Sequence, residues 1–205
     1  RAIAALTDTL LSSGKKYDLE KIRSAYLYAA AMHAGQFRVS GEPYISHPIA
    51  VAEIAAGLGL DTDSICAALL HDTVEDAGVL PETLVREFGQ RVADLVASET
   101  EDKMNHLPKS ASWKARKEGS LQILRNTEDE GVKMLWLSDK LANMRSFYRE
   151  YLLKGDQLWQ ALHQKDPKMQ RWYYATVAEY LYSDLKDEAA YREYTELIEL
   201  LFGGK

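Results

Sequence analysis

Four costly side chains follow directly on an apolar run, and that junction limits what this chain can build. Ile65-Cys66-Ala67-Ala68-Leu69-Leu70 reads as a buried segment, yet His71, Asp72, Glu75 and Asp76 come straight after it. Imidazoles and carboxylates taken out of water are expensive unless a cation or hydrogen bonds offset the loss. On a continuous helix His71 and Glu75 share a face, as do Asp72 and Asp76, since each pair is four residues apart. An imidazole and its neighbouring carboxylate can hold one divalent cation, with two more carboxylates a turn on to work on its water. Two other segments offer matching ligands, His47 and Asp139. A metal-dependent hydrolase is the leading reading.

Helical spacing recurs along the chain, whereas alternation of apolar and polar residues seldom lasts beyond four positions. Leu19, Ile22, Tyr26, Ala29, Ala30 and His33 fall on one stripe after Asp18, which suits an N-cap. Pro48 fits the first position of a second helix, with His47 at or near its N-cap and Gly57 or Gly59 closing it. Asp61 then caps the helix that carries the His-Asp pair. After a short loop at 77–80, Pro81 opens another helix, and Phe88-Gly89 interrupts it before Val92 to Val96. A loop is expected from Ser98 to Pro108. Further helices are expected over Ala111–Arg125, Gly131–Tyr151, Gln157–Gln164, Pro167–Leu185 and Asp187–Phe202. The spacing predicts an all-α domain whose sequence-distant helices converge on one pocket. The aromatics of the last third, Trp159, Trp172, Tyr173, Tyr174, Tyr180, Tyr182, Tyr191 and Tyr194, read as core at that spacing.

Composition narrows the function classes. The 205 residues suit one domain, with apolar residues at 46% and charged ones at 27%, an ordinary globular balance. A net charge of −6 argues against DNA or RNA as partners. No apolar run reaches the roughly 18 residues needed to cross a bilayer, and Arg1 to Leu11 does not resemble a signal peptide. The cytosol is the default address. Arg1 in place of Met points to a trimmed or partly disordered start. The single cysteine, Cys66, has no intramolecular disulfide partner and reads as a small buried side chain. One stretch departs from the acidic background: Lys103, His106, Lys109, Lys114, Arg116 and Lys117. By itself it reads as a solvated face; beside a metal site it would serve an anionic substrate.

Asp139 stands among Met134, Leu135, Trp136, Leu137 and Leu141, with Asn143 one turn further on the same face. Alone, Asp139 reads as a lysine-paired or capping carboxylate, and His47 as a capping or packed histidine. Together His47, His71, Asp72 and Asp139 supply two imidazoles and two carboxylates, with room for water or substrate. That mix suits Mn²⁺, Fe²⁺ or Zn²⁺ better than Ca²⁺ or Mg²⁺. The absence of a thiolate cluster argues against a structural zinc site.

The order His, then His-Asp, then Asp resembles the HD superfamily of metal-dependent phosphohydrolases. Five segments are similar, more narrowly, to the hydrolase domain of RelA/SpoT homologues, which degrade the alarmones ppGpp and pppGpp. They are residues 33–38 (HAGQFR), 41–48 (GEPYISHP), 67–76 (AALLHDTVED), 100–103 (TEDK) and 137–145 (LSDKLANMR). The likeness runs from about residue 18 to 150 and lacks the family's synthetase and regulatory domains. What remains resembles a stand-alone small alarmone hydrolase, similar in plan to the metazoan SpoT homologue. Arg171-Trp172-Tyr173-Tyr174 also looks like bacterial members of that small class.

The resemblance implies one HD-type domain of about eight to ten helices around a metal pocket, with helices of 151–205 packing on the core. It implies His47, His71, Asp72 and Asp139 as ligands of a single Mn²⁺ ion. Glu75 and Asp76 would activate water, while Arg38, Lys103 and Asn143 would hold the nucleotide and its phosphates. The implied reaction removes pyrophosphate from the ribose 3′ position, leaving GDP or GTP. Three departures bear on substrate preference: Val39 follows Arg38 where a second basic residue is common, Trp136 and Ser138 replace a frequent lysine and alanine, and Ser146 a threonine. Two readings compete with alarmone hydrolysis. One is hydrolysis of a related nucleotide, an adenosine alarmone or the 2′-phosphate of NADPH. The other is a catalytically silent HD domain that regulates a partner, though such a domain has no evident need for Glu75-Asp76. Oligomeric state stays open, homo-oligomer included, as does genetic pairing with an alarmone synthetase.

Overall fold

The computed structural model describes residues 2–204 and is all-α; Arg1, read above as a trimmed or disordered start, lies outside the described residues. Helices α1 (Ala2–Ser12), α2 (Leu19–Met32), α3 (Ser46–Gly57), α4 (Thr62–Leu70), α5 (Thr73–Ala77), α6 (Pro81–Phe88) and α7 (Gln90–Glu99) form one compact unit, up to Thr100. Helices α8 (Lys109–Asn126), α9 (Glu130–Lys154), α10 (Gln157–Gln160), α11 (Pro167–Leu185) and α12 (Ala189–Phe202) form another, from Glu101. Twelve helical segments among the described residues exceed the expected eight to ten for two reasons. α5 is a single turn split off from the helix expected to run on through the His-Asp pair, and nothing in the sequence signals the start of α1, although Leu6 and Leu10 are buried one turn apart. Among the described residues the sole β-type pairing is an isolated bridge between Phe37 and Pro43, and no helix is long and apolar enough to cross a membrane.

In the first unit α4 packs against α2, α3 and α7. Every residue from Ser64 to Leu70 is buried, as a helix that is apolar all round must be. Small residues on the facing elements, among them Ala52, Ala55 and Ala56 of α3, are buried too. Cys66 lies in the middle of this run, and burial pushes its thiol up to about 12. The expected caps are present: Asp18 accepts from the Lys21 N–H at 3.0 Å and Asp61 from the Ser64 N–H at 2.9 Å. The start of α3 differs. It begins at Ser46, two residues before Pro48, because the turn already closes with Ser46 N–H to Pro43 O and His47 N–H to Tyr44 O, both 3.0 Å. His47 is therefore inside the helix.

In the second unit the 25-residue α9 packs against α8, α10, α11 and α12. Asp129 caps it, accepting from the Gly131 N–H at 2.9 Å. Most of the late aromatics form core. Trp159, Tyr173, Tyr174, Tyr191 and Tyr194 are buried, and the last two donate their hydroxyls to Ala178 O (2.7 Å) and Tyr174 O (2.6 Å). Tyr182 is exposed. α10 stops at Gln160, short of the expected Gln164, and the chain restarts at Pro167 with Asp166 as cap.

The second unit opens on a buried carboxylate that its sequence neighbourhood does not mark out. Glu101 is paired with Arg116, with Lys117 Nζ at 3.0 Å and with the Ser120 hydroxyl at 3.4 Å. Removing it would strand two partly buried cations. Glu101→Ala should therefore cost on the order of 3 kcal/mol of stability, measured as a lower urea midpoint at unchanged slope.

Candidate metal centre

The four-residue spacing of 71–76 assumes one helix continued from the apolar run. The chain instead breaks there: α4 ends at Leu70, Asp72 adopts φ −95°, ψ −2°, and α5 begins at Thr73. The Thr73 hydroxyl donates to Leu70 O at 2.7 Å, taking one of the carbonyls that the break releases. Because the Asp76 N–H still reaches Asp72 O at 2.8 Å, the spacing of the carboxylates survives. Asp72, Glu75 and Asp76 bring carboxylate oxygens within 4.8 Å of one another. α5 closes on Gly78 at φ +68°, a left-handed turn that favours glycine.

The imidazoles are arranged for ligation. His71 Nδ1 lies 2.7 Å from Ala68 O, and a carbonyl has no proton to give, so the ring proton sits on Nδ1. That contact turns Nε2 towards Asp72 Oδ2, at 3.1 Å. His47 Nε2 is 3.8 Å from that same oxygen, and the two rings lie 5.2 Å apart. The side chains of His47, His71 and Asp72 are only 5%, 1% and 13% exposed. A protonated imidazole pairs with a carboxylate at this distance directly, and a neutral one needs a metal ion between them. Two ligands at about 2.1 Å from one ion, at ordinary bond angles, sit roughly 3.0–3.4 Å apart, so the His71–Asp72 spacing fits a bound divalent metal.

The segment before α3, turning at Ser40-Gly41, brings further side chains to these groups. Phe37 and Pro43 pair, Arg38 N–H donates to Glu42 O at 2.8 Å, and Tyr44 N–H to Gln36 O at 2.9 Å. This tight return folds Arg38 back, its guanidinium carbon 5.5 Å from the centre of the Tyr44 ring. The Tyr44 hydroxyl lies 2.8 Å from Asp72 Oδ2 and 3.2 Å from Asp76 Oδ2. Burial, then the charges of Asp72 and Asp76, hold this phenol far above its ordinary pKa, so it is a proton donor at every working pH. Gln36 Nε2 donates to Asp76 O at 2.9 Å, and His33 Nδ1 meets Gln36 Oε1 at 2.9 Å while its ring lies 4.8 Å from that of Tyr44. His33, Gln36 and Tyr44 all stand in segments that carry the family resemblance; nothing in their spacing assigns them a role.

The remaining candidates belong to the second unit. Asp139 is buried on α9 and accepts from Lys140 Nζ at 2.6 Å. That ammonium also lies 4.4 Å from the Trp136 ring centre and 5.8 Å from that of Tyr173. Asn143 stands one turn on, half-buried, and Lys103 is exposed in the segment before α8. Of the basic stretch, Arg116 and Lys117 are committed to Glu101, and Lys114 is an exposed side chain beside Glu118.

A family model described as "HD domain" matches residues 25–166. The guanosine-3′,5′-bis(diphosphate) 3′-pyrophosphohydrolase of Vibrio cholerae is 39% identical over 150 residues, 69% of this chain and 20% of that protein. The chain thus spans about a fifth of the length of the curated relatives it matches. A crystal structure of lmo0812 from Listeria monocytogenes superposes with a TM-score of 0.67 at 30% identity, covering 77% of this chain and 99% of that one. A metazoan orthologue of SpoT, described as hydrolysing ppGpp with a role in starvation responses, shares the fold at a TM-score of 0.71 and 24% identity, covering 91% and 98%.

His71→Ala and Asp72→Ala should each abolish tight Mn²⁺ binding in a calorimetric titration while helix content by circular dichroism stays near wild type. Undiminished affinity in either variant would place the ion elsewhere.

Proposed function

The chain belongs to the HD domain family, and on that footing we propose that it is a divalent-metal-dependent hydrolase of guanosine alarmones. It would remove the 3′-pyrophosphate of ppGpp and pppGpp to give GDP or GTP and pyrophosphate. The observation that carries this reading is the His71–Asp72 junction: a buried imidazole, held through Nδ1 by Ala68 O, turns Nε2 to a carboxylate oxygen at 3.1 Å beside two further carboxylates. The Vibrio cholerae relative, named for this reaction, supports the choice of substrate. The family match runs from the first compact unit into the second over residues 25–166, and the proposal takes 1–205 as one hydrolase domain with 151–205 as its C-terminal helices.

In this proposal His47, His71 and Asp72, completed by Asp139 of α9, hold one ion, with Mn²⁺ the favoured species. Bound there, a divalent ion supplies a water of lowered pKa and polarises a phosphoryl oxygen. Glu75 and Asp76 would orient the attacking water and take its proton. The water oxygen bonds to the phosphorus attached to O3′ and the O3′–P bond breaks. Its electron pair stays on O3′, which receives the proton from Asp76 or Glu75 as pyrophosphate leaves. Arg38, Lys103 and Asn143 hold the nucleotide. Arg38 offers a planar fork for phosphate oxygens and Lys103 a mobile point charge.

The direct test incubates the Mn²⁺-loaded protein with ppGpp, pppGpp, pppApp and NADPH and identifies the products. Pyrophosphate from the guanosine substrates is expected; orthophosphate from NADPH alone would overturn the assignment. Glu75→Gln and Asp76→Asn should keep Mn²⁺ affinity yet lose about 10²–10⁴-fold in turnover, the range for acid–base groups. Asp139→Ala should lose both binding and turnover, and full activity there would remove it from the ligand set.

Binding of the substrate phosphates is tested separately. Arg38→Ala should raise KM strongly and Arg38→Lys should restore it only in part, with KM climbing as ionic strength increases. Normal ppGpp affinity in Arg38→Ala would put the phosphates on another side of the metal.

A further inference from the structure

We infer that Tyr44 is a positioning residue of the hydrolytic site, its hydroxyl tying the metal ligand Asp72 to the water-activating Asp76. The inference rests on the reading of Asp72 and Asp76 given above. It assigns a role to a side chain that binds neither metal nor water in that reading.

The hydroxyl is 2.8 Å from Asp72 Oδ2 and 3.2 Å from Asp76 Oδ2. A phenol has one proton, and a three-centre bond shares it between the two carboxylates, with the shorter and stronger arm to Asp72. The Asp72 oxygen that accepts it is the one facing both imidazoles, at 3.1 Å from His71 and 3.8 Å from His47. Rotation of the Asp72 carboxylate would carry that oxygen away from the imidazoles and break the bond, so Tyr44 holds the ligand in its binding orientation. The second contact sets the distance from the metal ligand to Asp76.

The support behind Tyr44 is as specific as its reach. Its ring lies 4.8 Å from the His33 ring and 5.5 Å from the Arg38 guanidinium carbon, while its backbone N–H is bonded to Gln36 O. Gln36 in turn donates through Nε2 to Asp76 O. One short loop thus grips Asp76 twice, by backbone through Gln36 and by side chain through Tyr44. A tyrosine kept only for packing has no need to aim its hydroxyl between two carboxylates.

Tyr44→Phe keeps the ring and deletes the tie. Three measurements follow: calorimetric Mn²⁺ titration of metal-free protein, steady-state hydrolysis of ppGpp, and thermal unfolding without metal. Mn²⁺ affinity should fall about 10–100-fold, as when a partner behind a metal ligand is removed. The kcat should fall about 10²-fold with KM held, as expected when reacting groups are misplaced and the groups that bind substrate are untouched. The metal-free melting temperature should stay near wild type. Wild-type Mn²⁺ affinity together with wild-type kcat overturns the inference. So does a loss that disappears at a temperature where the variant is fully folded.

Should Tyr44→Phe fail to fold, the Zn²⁺-loaded wild-type protein carries the test. The Tyr44 hydroxyl proton should appear in NMR as a slowly exchanging low-field resonance that shifts in Asp76→Asn, and an unshifted resonance overturns the tie. If the wild-type protein leaves ppGpp intact, the proposed reaction falls, while the Mn²⁺ titration still decides the role of Tyr44.

Discussion

A buried imidazole nitrogen and a carboxylate oxygen held 3.1 Å apart need positive charge between them, a proton on that nitrogen or a metal ion. Much of the first unit is arranged around that demand. α4 is apolar on every side and so runs through the centre of its packing, which delivers His71 and Asp72 at an enclosed point. The helix cannot simply continue there. It stops, the Thr73 hydroxyl takes up a freed carbonyl, and a single new turn brings Glu75 and Asp76 round to the carboxylate of Asp72. Three acidic groups within 4.8 Å would repel one another as ions, so the cation that relieves His71 against Asp72 relieves this cluster too.

The enclosure and the ligand types are legible in the sequence, because a run without a polar face must be buried and costly residues beside it need a partner. Capping chemistry is legible for the same local reason: Asp18 and Asp61 each satisfy one N–H of the helix that follows. The break at 71–72 is not. It is accompanied by a hydroxyl-to-carbonyl bond from Thr73, and a threonine after His-Asp does not look different from one inside a helix. The start of α3 is misplaced by sequence because Pro48 suggests a first position, whereas the turn from Pro43 already supplies the helical hydrogen bonds. Tyr44, Gln36 and His33 escape assignment because their roles depend on a bridge between Phe37 and Pro43 that has no periodic pattern.

In the second unit the bland reading of Asp139 is also realised, since Lys140 donates to it at 2.6 Å. Pairing and ligation are compatible: an ammonium can occupy one carboxylate oxygen and leave the other for a metal. Trp136, one of the departures from the family pattern, finds an explanation here. It is buried, and its ring faces the Lys140 ammonium at 4.4 Å, a contact that an aromatic can make and the commoner lysine could not. Glu101 shows the opposite relation between sequence and role. Its segment offers weak support for substrate binding, yet the glutamate spends its charge on Arg116 and Lys117.

The position of Cys66 has a practical consequence. Its thiol is fully enclosed in α4 and pushed up to about 12, so almost no thiolate exists at neutral pH and an alkylating reagent has no path to it. Modification then waits on the opening of α4, the helix that leads into His71 and Asp72. The rate of thiol labelling becomes a clock for that local opening, and any ion that joins the ends of α3 and α4 through His47 and His71 will slow it.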